Sequence, residues 1–162
     1  MIKNERQYQV TRAQLKRMDS ALQRLQTATP ARDADPRLLN AERNGLQSVI
    51  AELRDDLGEY ERLRSGAAGA IEVARLQDFP ALLIKARIAA GLTQRELAER
   101  LGLKEQQVQR YEASDYSSAS MSRMLQVADT LQLEFIQPMK GIVTGLDRDR
   151  ATPASQRGTQ HA

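Results

Sequence analysis

The amino-acid sequence predicts an all-α protein, and three observations carry that expectation. Apolar residues recur at helical steps of three and four, as at Leu15, Met18, Leu22 and Leu25. Thr stands three residues ahead of Gln or Glu where two such runs open, at Thr11 with Gln14 and at Thr93 with Glu96, the pattern of a capping box. Aromatic residues are 4% of the 162 and charged residues 28%, so a core of leucine and alanine on helices is expected. The expected organisation is a helical hairpin or coiled-coil arm over residues 1–65 and a compact helical domain over 70–136. A polar, mostly disordered tail is expected over 137–162.

Taken in order, residues 1–10 are polar, and the alternation of Tyr8 and Val10 permits a short strand there. Thr11 then opens the first helix. Residues 28–36, ATPARDADP, read as a turn-forming linker. A longer helix follows over residues 37–64, with Leu39, Leu46, Ile50, Leu53, Leu57 and Tyr60 as its apolar stripe. From Leu46 the steps are four, three, four, three, a heptad rhythm. Either this stripe buries a seam against the first helix of the same chain, or it pairs with a second chain. Two helices alone make a thin core, which favours a partner.

Residues 65–69, SGAAG, break the pattern and read as a hinge, with one or two helical turns expected over 70–77. Asp78-Phe79-Pro80 reads as a helix start, since Asp can cap and Pro is tolerated in a first turn. Phe79, Leu82, Leu83, Ala86 and Ala90 form the buried stripe, and Gly91 ends the helix. After residue 113, residues 114–118 read as a loop, and Ser120 caps a helix whose apolar side is Met121, Leu125, Ala128 and Leu131. Residues 133–143 suit either a short strand or a helix stopped at Pro138.

The stretch that organises the chain is residues 92–112, LTQRELAERLGLKEQQVQRYE. Ala98 lies mid-helix, where a second helix can cross only over a small side chain. Gly102 follows Leu101, where a helix ending in a left-handed residue wants glycine. Val108 then faces back into the crevice, and Leu97, Leu101, Leu103 and Tyr111 complete the apolar contacts. This is the spacing of a helix-turn-helix, whose second helix enters the DNA major groove.

Little else carries chemistry. There is no Cys, so neither a disulfide framework nor a thiolate metal site can form. The single histidine, His161, is next to last in the polar tail. Asp55, Asp56, Glu59 and Glu61 make an acidic run, which on an amphipathic helix is a solvated face. No Gly-rich phosphate loop or nucleophile elbow is present, so no enzyme, cofactor or metal is expected. No run reaches the roughly 18 apolar residues of a membrane span. The opening MIKNERQYQV lacks the apolar segment of a secretory signal, so a cytoplasmic protein with no membrane partner is expected. A net charge of +3 suits nucleic acid but decides little.

Residues 79–131 resemble the Cro/C1-type helix-turn-helix domain, the Xre family, which implies a lambda-repressor-like fold. Thr93, Gln94, Leu97-Ala98, Gly102 and Arg110-Tyr111-Glu112 carry that resemblance together. The whole chain is similar to small bacterial transcriptional regulators with a helical N-terminal extension, some of them antitoxins of the HigA type encoded beside a toxin. Two positions depart from the pattern. Lys104 stands where the family often places Ser or Thr as the cap of the recognition helix, and Ala113-Ser114 replaces the usual Asn-Gly. The fifth helix common in the family is not evident.

With Val108 and Tyr111 inward, a 3.6-residue period projects Glu105, Gln106, Gln107 and Arg110 toward DNA bases, with Gln109 at the margin. Amides pair with adenine, Arg with guanine, and Glu with the cytosine amino group. Gln94 at the preceding helix start, with Arg95, Lys104, Ser117, Ser118 and Arg123, are the expected backbone contacts. Arg87 is a further candidate, and Glu112 is expected to hold the helices through an ion pair with Arg87 or Arg95. The function implied is binding of double-stranded DNA as a homodimer on an inverted repeat, repressing its own operon. An antitoxin would also bind a toxin protein through its N-terminal helices or tail. The rival from another class is an interaction adaptor that uses the hairpin and does not bind DNA; the retained polar reading face argues against it.

Overall fold

The structure, a computed structural model, describes residues 1–27, 35–66, 69–73 and 75–135. Among these the chain is all helical. It forms α1 (Glu5–Thr27), α2 (Pro36–Arg64), a 3-10 turn (Leu76–Asp78), α3 (Phe79–Ala89), α4 (Gln94–Leu101), α5 (Glu105–Ala113) and α6 (Met121–Thr130). Most of the linker at 28–36, the tail at 137–162, and all but the first three residues of the 133–143 segment lie outside the described residues.

The first helix starts earlier than Thr11. Asn4 caps it: its side-chain oxygen accepts the Gln7 N–H at 2.9 Å, and Gln7 Oε1 accepts the Lys3 N–H at 2.8 Å. The cap of α1 thus lies at Asn4, with Gln7 reaching back one residue further to Lys3, and Thr11 with Gln14 lies inside the helix. Tyr8 and Val10 confirm helix over strand. On a strand they would share a face; here Tyr8 stacks on Tyr60 at 5.2 Å, while Val10 is 61% exposed. Asp35 caps α2 by accepting the Arg37 N–H, with Pro36 in the first turn.

α1 and α2 run antiparallel. Glu5 pairs with Arg64, Tyr8 Oη donates to Glu61 at 2.6 Å, and Asp19 pairs with Arg54 at 2.9 Å. Burial along this hairpin is uneven. No residue of α1 is buried, and the buried residues of α2 are Ile50, Leu57, Tyr60 and Leu63, all in its second half. Leu57, Tyr60 and Leu63 join Phe79, Leu83, Leu97 and Val127 in one core, so packing runs straight across the break at residues 65–69. Lys85 of α3 also reaches Glu59 of α2 at 2.6 Å.

Four local expectations change. Ala90, expected in the buried stripe of α3, is the exposed residue just past its last turn. Residues 70–73 are not helical; only Leu76–Asp78 makes a turn, and Ile71 and Val73 lie half-buried against the core. Asp78 does not cap α3 through its side chain. The 3-10 turn leads directly into α3 and leaves Asp78 at φ −88° and ψ −3°, outside the extended geometry of a capping residue, and its carboxylate binds Arg75 instead. On α6 the buried residues are Val127 and Ala128, with Met124 and Leu131 half-buried, whereas Met121 and Leu125 are 51% and 56% exposed. The sequence carries two apolar rows at helical spacing there, and only the row through Met124 meets the core.

Candidate nucleic-acid interface

The geometry of the site begins with two helix ends. Thr93 caps α4: its Oγ1 accepts the Glu96 N–H at 3.1 Å, and Glu96 Oε2 accepts the Thr93 N–H at 2.7 Å and its hydroxyl at 2.8 Å. These hydrogen bonds to the carboxylate hold Glu96 below its ordinary range. At the other end Gly102 takes φ +66°, and Leu103 N–H returns to Ala98 O at 2.8 Å, closing a tight turn into α5. Ala98 and Val108 are each 1% exposed where the helices meet. Full burial of Leu97 and Val108 at this crossing contributes roughly 1.5–3 kcal/mol each.

A buried ion pair locks this unit to α3. Arg87 Nε lies 2.6 Å from Glu112 Oε1 and its Nη2 lies 2.8 Å from Oε2, with Arg87 3% and Glu112 0% exposed. Of the two partners expected for Glu112, Arg87 is the one; Arg95 pairs with Glu99 at 2.9 Å. Gln94 Nε2 adds a third donor to Glu112 at 2.8 Å. Arg87 Nη1 also donates to Leu92 O at 2.7 Å, and Nη2 to Lys3 O at 2.5 Å. Each guanidinium nitrogen of Arg87 and both Glu112 oxygens thus have partners, which is the condition under which a buried charge pair is tolerated.

With Val108 and Glu112 inward, α5 turns its opposite face to solvent. Gln106 and Arg110 are exposed there, and neither side chain has a partner among the described residues. Glu105 accepts from Gln109 Nε2 at 2.8 Å along the same face. Gln107 sits apart from the other three: it is half-buried and its amide nitrogen turns to Tyr111 Oη at 3.3 Å. Lys104 precedes α5 without a side-chain cap, and the Gln107 N–H returns to Lys104 O at 2.9 Å.

The expected backbone-contact residues are placed less uniformly. Gln94 is 9% exposed, because the buried Glu112 carboxylate claims its amide and Asn4 Nδ2 approaches its oxygen at 3.4 Å. Its side chain therefore faces inward, away from any phosphate. Lys104 and Ser117 are exposed; Ser118 Oγ meets Ser114 Oγ at 3.3 Å; Arg123 is half-buried, with Nη1 on Gln126 at 2.5 Å.

Residues 83–136 match the helix-turn-helix family. The match spans most of α3 through α6 and is of the Cro/C1 type, a family of DNA-binding regulators. The hairpin lies outside it. No curated protein and no solved structure matches the chain. In the helix-turn-helix frame α5 is the recognition helix and α4 the helix that supports it. No described helix is long and apolar enough to cross a membrane.

Two participants carry no motif in the sequence. Lys3 Nζ donates to Glu112 O at 2.6 Å and pairs with Asp115 at 2.8 Å, so the N-terminal residues cap the recognition helix at its C-terminal end. Tyr116, within what reads as an exposed loop, is 2% exposed and stacks on Tyr111 at 6.0 Å. Asp115 and Tyr116 both adopt positive φ, at 47° and 58°, which turns the Tyr116 ring inward. Burial and the nearby Glu112 carboxylate push its hydroxyl pKa up.

Proposed function

We propose that the protein is a sequence-specific double-stranded-DNA-binding transcriptional regulator, a repressor that binds an inverted repeat as a dimer in the cytoplasm. The observation that carries this reading is the outer face of α5. Gln106 and Arg110 stand exposed and unpartnered on a helix held firmly by the Gly102 turn and the Arg87–Glu112 pair. A preorganised helix with free amide and guanidinium groups matches the donor and acceptor pattern of the major groove. Glu105 is already satisfied by Gln109, so it adds selectivity against wrong bases more than affinity.

Dimerisation is assigned to the far half of the hairpin. Residues 36–49 of α2 contain no buried residue, although Leu39 and Leu46 continue the heptad stripe. A second hairpin would cover what α1 leaves half-open.

Selection of preferred duplexes from a random pool tests the reading. Enrichment of an inverted repeat whose half-site centres lie one helical turn apart, or a multiple of it, is the expected result. Recovery of no preferred sequence, at salt low enough to hold nonspecific complexes, would exclude sequence-specific regulation and leave the adaptor role.

A further inference from the structure

A cleft runs between the first turns of α1 and one flank of the recognition helix. Arg6 and Val10 line its hairpin side, while Glu105, Gln109 and Ala113, four residues apart on one row of α5, line the other. The N-terminal residues hold the hairpin side in place. Ile2 is 4% exposed, Arg87 binds Lys3 O, and Lys3 Nζ binds the end of α5. Other cations at this cleft are committed: Lys3 to Asp115, Arg64 to Glu5 and Arg87 to Glu112. Arg6 is exposed and has no partner among the described residues.

We propose that this cleft receives one sugar-phosphate strand of the duplex, and that Arg6, outside the helix-turn-helix domain, is a phosphate contact. The inference rests on the DNA-binding reading and extends it to the hairpin. A helix lying in the major groove has a phosphate backbone on each side of it. The row carrying Glu105, Gln109 and Ala113 faces one of those strands, and the facing wall is α1. Glu105 repels a phosphate, so a strand seated here needs a cation on the opposite wall, and Arg6 is the uncommitted one. Its planar guanidinium suits bidentate contact with phosphate oxygens. With Gln94 held inward by Glu112, phosphate binding on this side passes from the start of α4 to the start of α1.

The test is a salt titration of binding by the full chain, on a selected duplex and on an unrelated duplex of equal length. Arg6→Ala should weaken both complexes by about three- to tenfold and lower the slope of log K against log salt by about 1, with base preference unchanged. Arg6→Lys should restore most of the slope, because the charge is kept. Thermal melting of each variant should match wild type, since Arg6 contributes no structural contact. Unchanged affinity and slope in Arg6→Ala overturn the proposal while leaving the DNA-binding reading intact. Tighter binding also overturns it, because that is what a wall obstructing the duplex would produce. Absence of salt-dependent duplex binding by the wild-type chain removes both.

Discussion

Arg87 and Glu112 meet in a closed pocket between α3 and α5, with both carboxylate oxygens engaged by the guanidinium at 2.6 and 2.8 Å. The pair ties together four segments: α3 through Arg87, α5 through Glu112, α4 through Gln94, and the N-terminal residues through Lys3 O. Arg87→Met should cost about 3–5 kcal/mol of unfolding free energy, because it strands a buried carboxylate. The double variant Arg87→Met with Glu112→Leu should recover part of that loss. Denaturant unfolding measures both, and a single variant as stable as wild type would show that the pair is hydrated in solution.

Gln106→Ala and Arg110→Ala should each weaken specific binding by roughly 1–3 kcal/mol and relax preference at one base pair. Gln107→Ala should do less, since its amide is turned to Tyr111. Binding competition across single-base variants of a selected site separates the three. Equal effects at all three positions would mean that Gln107 leaves Tyr111 when DNA docks.

The capping box makes a pH-dependent contribution. Glu96 is held below its ordinary value of 4.5 by the Thr93 N–H and hydroxyl. A carboxyl with a depressed folded-state pKa binds more protons when unfolded, so its contribution is complete above the unfolded value and fades as pH falls through the folded one. The stability gap between wild type and Glu96→Gln should therefore stay constant above about pH 4.5 and shrink below it. Urea midpoints across that range provide the measurement; a gap independent of pH would place the carboxylate outside the cap.

How much of this could be read from residues alone depended on how local the cause was. The α4–turn–α5 unit was readable because each device is local: a Thr–Glu cap, a glycine at φ +66°, and small or β-branched residues at the crossing. The exposure of Glu105, Gln106 and Arg110 on α5 followed from Val108 and Tyr111 by periodicity, whereas Gln107, expected on that face, is half-buried against Tyr111. Inward placement of Gln94 did not, because it depends on a carboxylate 18 residues away and on Asn4, 90 residues away. The burial of Tyr116 is not legible in the sequence, because positive φ at two consecutive non-glycine residues has no sequence signature. The exposed row on α6 was ambiguous because two apolar rows shared one helix and only packing selected between them.

Pairing of the hairpins yields the last prediction. α2 has 29 residues, about 44 Å of helix at 1.5 Å per residue, and its near half is consumed by the shared core through Leu57, Tyr60 and Leu63. The far half keeps the heptad spacing but holds no fully buried residue: Leu39 and Leu46 on the stripe are half-buried, and Leu38 and Val49 beside it stand 69% and 38% exposed. A two-helix layer that buries so little is stabilised by a second layer of the same kind. One recognition helix reads few base pairs, whereas two held by a common arm make the second contact intramolecular. Leu46→Asp puts a charge into the far seam without touching the core. It should give monomers in sedimentation equilibrium, an unchanged melt of the α3–α6 domain, and much weaker binding to the full repeat than to a half-site control would suggest. Leu57→Asp is the contrast: it lies in the shared core and should unfold the domain as well. A Leu46→Asp chain that remains a dimer would move the pairing surface off the hairpin, and one that loses the domain melt would show that the far half supports the fold rather than the assembly.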